Sequence, residues 1–187
     1  MNLKVLNEQT APEAAREGIA QARKKFGFVP NLLGVMAQAP SLLKTYLTVS
    51  SLFDGSSLTA VERQVVLLAA SAENHCGYCV AAHTAIASMQ KVPGDVVEAI
   101  RGRLPIADGK LEALRRFVEE MVVTRGWPSE ATRRRFFEAG YSEPQALEVV
   151  LGIGMKTLSN YTNHLAETPL DKQFASAAWE VAVGERQ

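Results

Sequence analysis

The chain has 187 residues, 47% of them apolar and 21% charged, as expected of one soluble globular domain that can bury a core without metal or disulfide staples. Twenty basic residues balance twenty acidic ones, which leaves no electrostatic footprint for nucleic acid or an anionic membrane. No apolar run approaches the roughly 20 residues that span a bilayer, and Met1-Asn2-Leu3-Lys4 does not open a signal peptide, so a cytoplasmic location is expected.

Nearly every segment reads as helix. Thr10-Ala11-Pro12-Glu13 combines a capping residue, a proline for the first turn and an acid for the positive end, so a helix should run from there to about Lys25 and stop at Gly27. Asn31-Leu32-Leu33 opens a short apolar helix, and Pro40-Ser41 starts another that Gly55 ends. Thr59-Ala60-Val61-Glu62 is a capping box, followed by the apolar face Val65, Val66, Leu68, Ala69 and Ala72. Asn74-His75 should break the chain before an Ala-rich helix from Cys76 to about Gln90. Pro93-Gly94-Asp95 starts a short helix to about Arg101, and Asp108 to Thr124 is a long amphipathic one.

Pro128-Ser129 begins the next helix, which Gly140 ends, and Ser142-Glu143-Pro144 begins one that runs to about Ala166. Gly152 and Gly154 inside it each cost about 1 kcal/mol relative to Ala, so both are expected to mark close helix contact. Asp171 should start a last helix carrying Phe174 and Trp179. No strand pattern persists, and the expected class is all-α over a single domain, 1–187. Arg133-Arg134-Arg135 reads as a solvated helix face or a subunit contact, and Val65-Val66-Leu67 has a weak echo in Val149-Val150-Leu151.

Chemistry concentrates in Glu73-Asn74-His75-Cys76-Gly77-Tyr78-Cys79-Val80-Ala81-Ala82-His83, which holds both cysteines and two of the three histidines. In a cytoplasmic protein a Cys-x-x-Cys is catalytic or metal-binding rather than a structural disulfide. On a helix, Cys76, Cys79 and His83 share a face. A helix N-terminus favours a thiolate, and an imidazole one turn on can take the proton directly or through a water. Cys79, four residues from His83, is the expected attacking sulfur and Cys76 the resolving thiol that closes a disulfide on the sulfenic acid, although the two roles could be reversed. Tyr78 and His75 would shape or polarise the pocket.

Two plainer readings compete: the cysteines as simple core, or Cys76, Cys79 and His83 with His75 or His164 as zinc ligands. A helical chain of this length does not need a structural zinc, so no metal is expected. Glu62 and Glu73 are the candidates to orient His83, against their plain roles as cap and solvated residue. His164 and Asn163, in the polar patch Asn160-Tyr161-Thr162-Asn163-His164, read more simply as packing and backbone-bonding residues. There is no nucleotide-binding glycine motif, and no cofactor is expected.

Cys76-Gly77-Tyr78-Cys79-Val80-Ala81-Ala82-His83, preceded by Leu58-Thr59-Ala60-Val61-Glu62-Arg63, resembles the alkylhydroperoxidase D-like branch of the carboxymuconolactone decarboxylase family. The core of the resemblance spans about 40–100, and the whole chain, with Thr168-Pro169-Leu170-Asp171, is similar to the longer peroxidase-related subgroup. The resemblance implies an all-α trimer or hexamer and a thiol-dependent peroxidase for organic hydroperoxides, re-reduced by a dithiol or protein partner. It also implies that Cys79 is peroxidatic, that Cys76 resolves it, and that His83 works in a proton relay with a glutamate. The chain departs from the family at two places: Gln64 stands where that glutamate belongs, twelve residues before the first Cys, and Tyr78 stands where a His precedes the second Cys in well-studied members. Either Glu62 or Glu73 then replaces the glutamate, or the relay is weakened. The alternatives are a redox-sensing or disulfide-exchange protein, and a non-redox lactone decarboxylase, against which the dithiol argues.

Overall fold

The computed structural model describes residues 3–180, and no strand occurs among them. Nine α-helices follow in order: α1 (Glu13–Phe26), α2 (Asn31–Met36), α3 (Pro40–Asp54), α4 (Ala60–Glu73), α5 (Gly77–Met89), α6 (Gly94–Arg101), α7 (Gly109–Val123), α8 (Glu130–Glu138) and α9 (Glu143–Ala166). The last element among the described residues is a short 3₁₀ helix, Lys172–Ala177, where an α-helix was expected. Trp179 lies beyond that turn.

Local chemistry sets most of these boundaries. The Thr59/Glu62 capping box forms, with Thr59 N donating to Glu62 Oε2 and Glu62 N to Thr59 Oγ1. A second box, Ser142 with Gln145, starts α9. At the start of α1 the expected Thr10 cap is absent: Thr10 turns back onto Asn7, and the helix begins after Pro12 with no side-chain cap. Gly27 ends α1 in the left-handed conformation, φ 79°, which a side chain would strain.

Helix α4 lies at the centre and packs on α5, α6, α7 and α9. That position explains why its run Val65 to Ala72 is buried on every face. Helix α9 crosses α4 and α3 at Gly152. A Cβ there would stand 2.7 Å from Val66 Cγ1 and 2.8 Å from the Phe53 ring, so only glycine permits the approach. Gly154 meets nothing within 4 Å, and its expected helix contact is not made within the chain. Gly152→Ala should therefore destabilise the fold: overpacking costs about 1–3 kcal/mol, against about 1 kcal/mol gained in helix propensity. A thermal melt checks this, and a rise in midpoint would contradict it.

The C-terminal segment is tied back onto the bundle. Asp171 accepts from the Asn31 N–H and from the Tyr78 hydroxyl, linking the segment to α2 and α5. Arg101 donates to the carbonyls of Ala177 and Ala178, and Trp179 Nε1 donates to Arg101 O. Among the described residues no helix is long and apolar enough to cross a membrane.

Candidate active site

The turn between α4 and α5 places the first sulfur. His75 takes the left-handed conformation, φ 54°, while His75 N donates to Ala72 O and Cys76 N to Ser71 O. These are the two bonds of a Schellman motif. Arg103 Nη2 holds the turn from outside, donating to Ala72 O and lying 3.1 Å from His75 Nδ1. Cys76 is thereby the residue that precedes α5, Cys79 lies in the first turn and His83 in the second. Both cysteines are free and buried.

Helix α9 supplies the facing wall. Lys156, Ser159, Asn160 and Asn163, at spacings of three and four, form one buried polar stripe along the helix. Asn163 Nδ2 donates to Cys79 Sγ at 3.2 Å and reaches Cys76 Sγ at 3.8 Å. Asn160 Oδ1 accepts from Asn74 Nδ2, which fastens α9 to the turn. Lys156 Nζ stands 3.0 Å from His83 Nε2, with none of its surface exposed.

On the other side of the ring, His83 Nδ1 lies 3.2 Å from Gln64 Oε1. The Gln64 amide is oriented by its own donation to Gln90 Oε1. Its carbonyl oxygen therefore faces the imidazole, so Nδ1 carries the proton and Nε2 accepts from Lys156. Both ring nitrogens are engaged, and neither bonds Cys79.

Electrostatics separate the two thiols. Burial alone would push Cys79 up. The bond from the Cys76 thiol, the positive charge of Lys156 and the polar groups of Ser159 and Asn160 outweigh it, bringing Cys79 well below the ordinary thiol range. Cys76 moves the other way, because its proton is shared with Cys79 and its surroundings are dry. The shifts are opposite, so Cys79 is the sulfur that ionises more readily and Cys76 the one that keeps its proton. Burial, then the Lys156 charge, hold His83 well below its usual value, so the ring is neutral.

The depressed His83 value makes stability fall in acid. Below the unfolded value near 6.5 the unfolded chain binds a proton that the buried ring refuses, and stability drops by up to about 1.4 kcal/mol per pH unit. Urea midpoints at pH 7.5 and 5.5 should converge in His83→Asn relative to wild type. Equal pH dependence in both proteins would show that His83 titrates normally.

A cavity of about 380 Å³ opens onto Cys79, His83 and Lys156, with Tyr46, Tyr78 and Phe174 among its walls. Cys76 does not line it. Tyr78 is tied down, its hydroxyl donating to Asp171 and accepting from Leu32 N.

The structure thus brings together Cys76, Cys79, His83 and Tyr78, and leaves both glutamates elsewhere. Glu62 is occupied by its cap and by Lys110 Nζ at 3.0 Å. Burial pushes its carboxyl up, but the Thr59 N–H and Lys110 prevail and hold it low. Glu73 lines a separate open groove with Glu119, Arg116 and Arg135. Neither orients His83: Gln64 does so from the glutamate's own position. His75 is held at the turn, and His164 lies on the exposed face of α9. No group of three or more His, Cys, Asp or Glu that could hold a metal ion occurs among the described residues. Lys156 is the functional residue that sequence reasoning missed. Its signal was the stripe Lys156-Ser159-Asn160-Asn163, of which only the later part drew notice as a polar patch.

The carboxymuconolactone decarboxylase family model matches residues 40–120. No curated protein matches the sequence. Among solved structures, an alkylhydroperoxidase core described as a peroxidase-related protein from Ralstonia eutropha JMP134 superimposes with a TM-score of 0.81 at 24% identity, over 92% of this chain and 93% of that one. A peroxidase-related protein from Silicibacter sp. TM1040 gives 0.78 at 18% identity, over 93% and 92%. The debrominase Bmp8, solved with 2,3,4-tribromopyrrole, gives 0.80 at 16% identity, over 95% of each chain. At these identities the likeness is one of fold. Residues 40–120 are thus similar to the carboxymuconolactone decarboxylase family model, in a chain whose fold is that of the alkylhydroperoxidase core.

Proposed function

We propose that the protein is a thiol-dependent peroxidase acting on organic hydroperoxides. The observation that carries this reading is the arrangement of the two sulfurs: Cys79 lines the cavity beside Lys156 and accepts from Asn163 Nδ2 at 3.2 Å, while Cys76 lies behind it, outside the cavity lining. A thiolate open to a small electrophile, with a second thiol behind it, suits attack on a peroxide followed by disulfide closure. The mixed apolar and polar cavity fits a hydroperoxide with a hydrocarbon body better than hydrogen peroxide alone. His83, expected to take the Cys79 proton, instead presents Nε2 to Lys156 Nζ at 3.0 Å.

The disulfide is returned to the dithiol by a small or protein dithiol partner. The protein works in the cytoplasm as a homotrimer or homohexamer, a reading helped by exposed Leu147, Val150, Tyr161 and Leu165 along the outer side of α9.

The test is thiol counting after one equivalent of cumene hydroperoxide is added to reduced protein, followed by turnover with dithiothreitol. Fast loss of two thiols and sustained turnover are expected. Fast loss without turnover would favour a redox sensor, and thiols no faster than free cysteine would end the peroxidase reading.

A further inference from the structure

We infer that Lys156 is the acid of this site: it protonates the leaving alkoxide and carries that proton through the catalytic cycle, in place of a carboxylate–histidine relay. The inference rests on the peroxidase reading and adds the source of the proton to it.

The argument is one of elimination around the cavity. Breaking the O–O bond of ROOH releases RO⁻, a strong base that needs a proton as it leaves. His83 cannot supply it, because its only N–H is committed to Gln64 Oε1 and its other nitrogen presents a lone pair to Lys156. Gln64 does not titrate. The Tyr78 hydroxyl donates to Asp171. Tyr46 is a phenol pushed up by burial and by the Cys79 charge, hence a poor acid. Cys76 must keep its proton until the resolving step. At the rim, Lys25 is half exposed and paired with Asp54 at 2.9 Å, and Arg63 donates to Leu58 O. Lys156 remains, buried, lining the same cavity as Cys79 and within electrostatic reach of both sulfurs.

The steps balance. The Cys79 thiolate attacks the terminal oxygen of ROOH, an S–O bond forms as O–O breaks, and Lys156 gives a proton to RO⁻. The products are Cys79 sulfenic acid, ROH and a neutral amine. The Cys76 sulfur then displaces hydroxide from Cys79, its proton completing a water, and the S–S bond forms. A dithiol reductant returns two electrons and two protons. One proton restores the Cys76 thiol and the other recharges Lys156, leaving Cys79 as thiolate. His83 Nε2 holds the amine in place throughout, which makes His83 a positioning residue.

The test separates charge from proton donation by changing the leaving group. Cumene hydroperoxide expels an alkoxide that needs the proton, whereas peroxyacetic acid expels acetate, which does not. Single-turnover thiol oxidation would be followed with both oxidants in wild type, Lys156→Met and Lys156→Gln. The thiolate fraction of each protein is measured from its 240 nm absorbance, and its fold by circular dichroism. Two variants guard against one failing to fold. After correction for thiolate fraction, loss of the acid should slow cumene hydroperoxide by about 10²-fold or more, the usual contribution of general acid catalysis. The corrected peroxyacetic acid rate should stay near wild type. Equal losses with both oxidants, or no loss with either, would overturn the inference. Failure of the wild-type thiols to outpace free cysteine would instead bring down the peroxidase reading itself.

Discussion

Replacing Cys79 by Ser is expected to abolish hydroperoxide consumption, a loss on the order of 10⁴-fold or more, as when an enzyme loses its nucleophile. A serine hydroxyl does not ionise near neutral pH, so the Lys156 charge, the Asn163 donor and the Cys76 thiol would surround a group that cannot attack. Cys76→Ser should behave differently. Cys79 would still react once, at a rate close to wild type, and then stop as the sulfenic acid, open to irreversible oxidation. Intact-mass measurement after one equivalent of cumene hydroperoxide distinguishes the two. Cys79→Ser should gain no mass, whereas Cys76→Ser should gain one oxygen. A reversed pattern would make Cys76 the attacking sulfur, which its place outside the cavity argues against.

The largest expected effect on stability lies far from this chemistry. Phe136 is fully buried and stacks between Phe117, at 4.2 Å between ring centroids, and Tyr141, at 4.6 Å. Its neighbour Phe137 meets it edge-on at 5.5 Å. This stack is the main apolar anchor of α8, in which Phe136 is the one buried residue. Phe136→Ala should cost about 3–5 kcal/mol, by lost burial and the cavity left behind. For a chain of this size that lowers the melting midpoint by roughly 2–4 °C for each kcal/mol. Thiol oxidation per folded molecule should stay at the wild-type rate. A melt within a degree of wild type would show that α8 is held by something other than the stack.

The helices were legible because their ends are written in residues with local mechanisms. Thr59 with Glu62, Ser142 before Pro144, and Gly27 act within one turn of where they stand, so no tertiary knowledge is needed to read them. The dithiol was legible for the same reason: Cys76 stands at the cap of one helix, Cys79 in its first turn and His83 in its second. What failed was everything that depends on how helices cross. Glu62 looked available as a relay acid, and only the fold shows Lys110 and Thr59 holding it. Gln64 looked like a lost acid, yet it sits where its carbonyl meets His83. Lys156 is 73 positions from that histidine, and a lysine in a long helix ordinarily reads as solvent-facing. Gly152 and Gly154 looked alike in sequence, but one is a crossing point and the other an open position.

The crossing at Gly152 also limits how this protein can change. The glycine fixes the depth of α9 against Val66 and Phe53, and Lys156 follows it by about one helical turn. Depth and rotation are therefore set at one point and used at the next. Inserting or deleting one residue between them would swing the later half of α9 by about 100°. A deletion would bring Thr157, Tyr161 and His164 to the places of Lys156, Asn160 and Asn163, and an insertion would bring Met155, Leu158 and Thr162 to those of Lys156, Ser159 and Asn163. Substitutions along this stripe can be tried singly, whereas a change in length there shifts every position of the wall in one step. The register of α9 should accordingly tolerate no drift between these two residues.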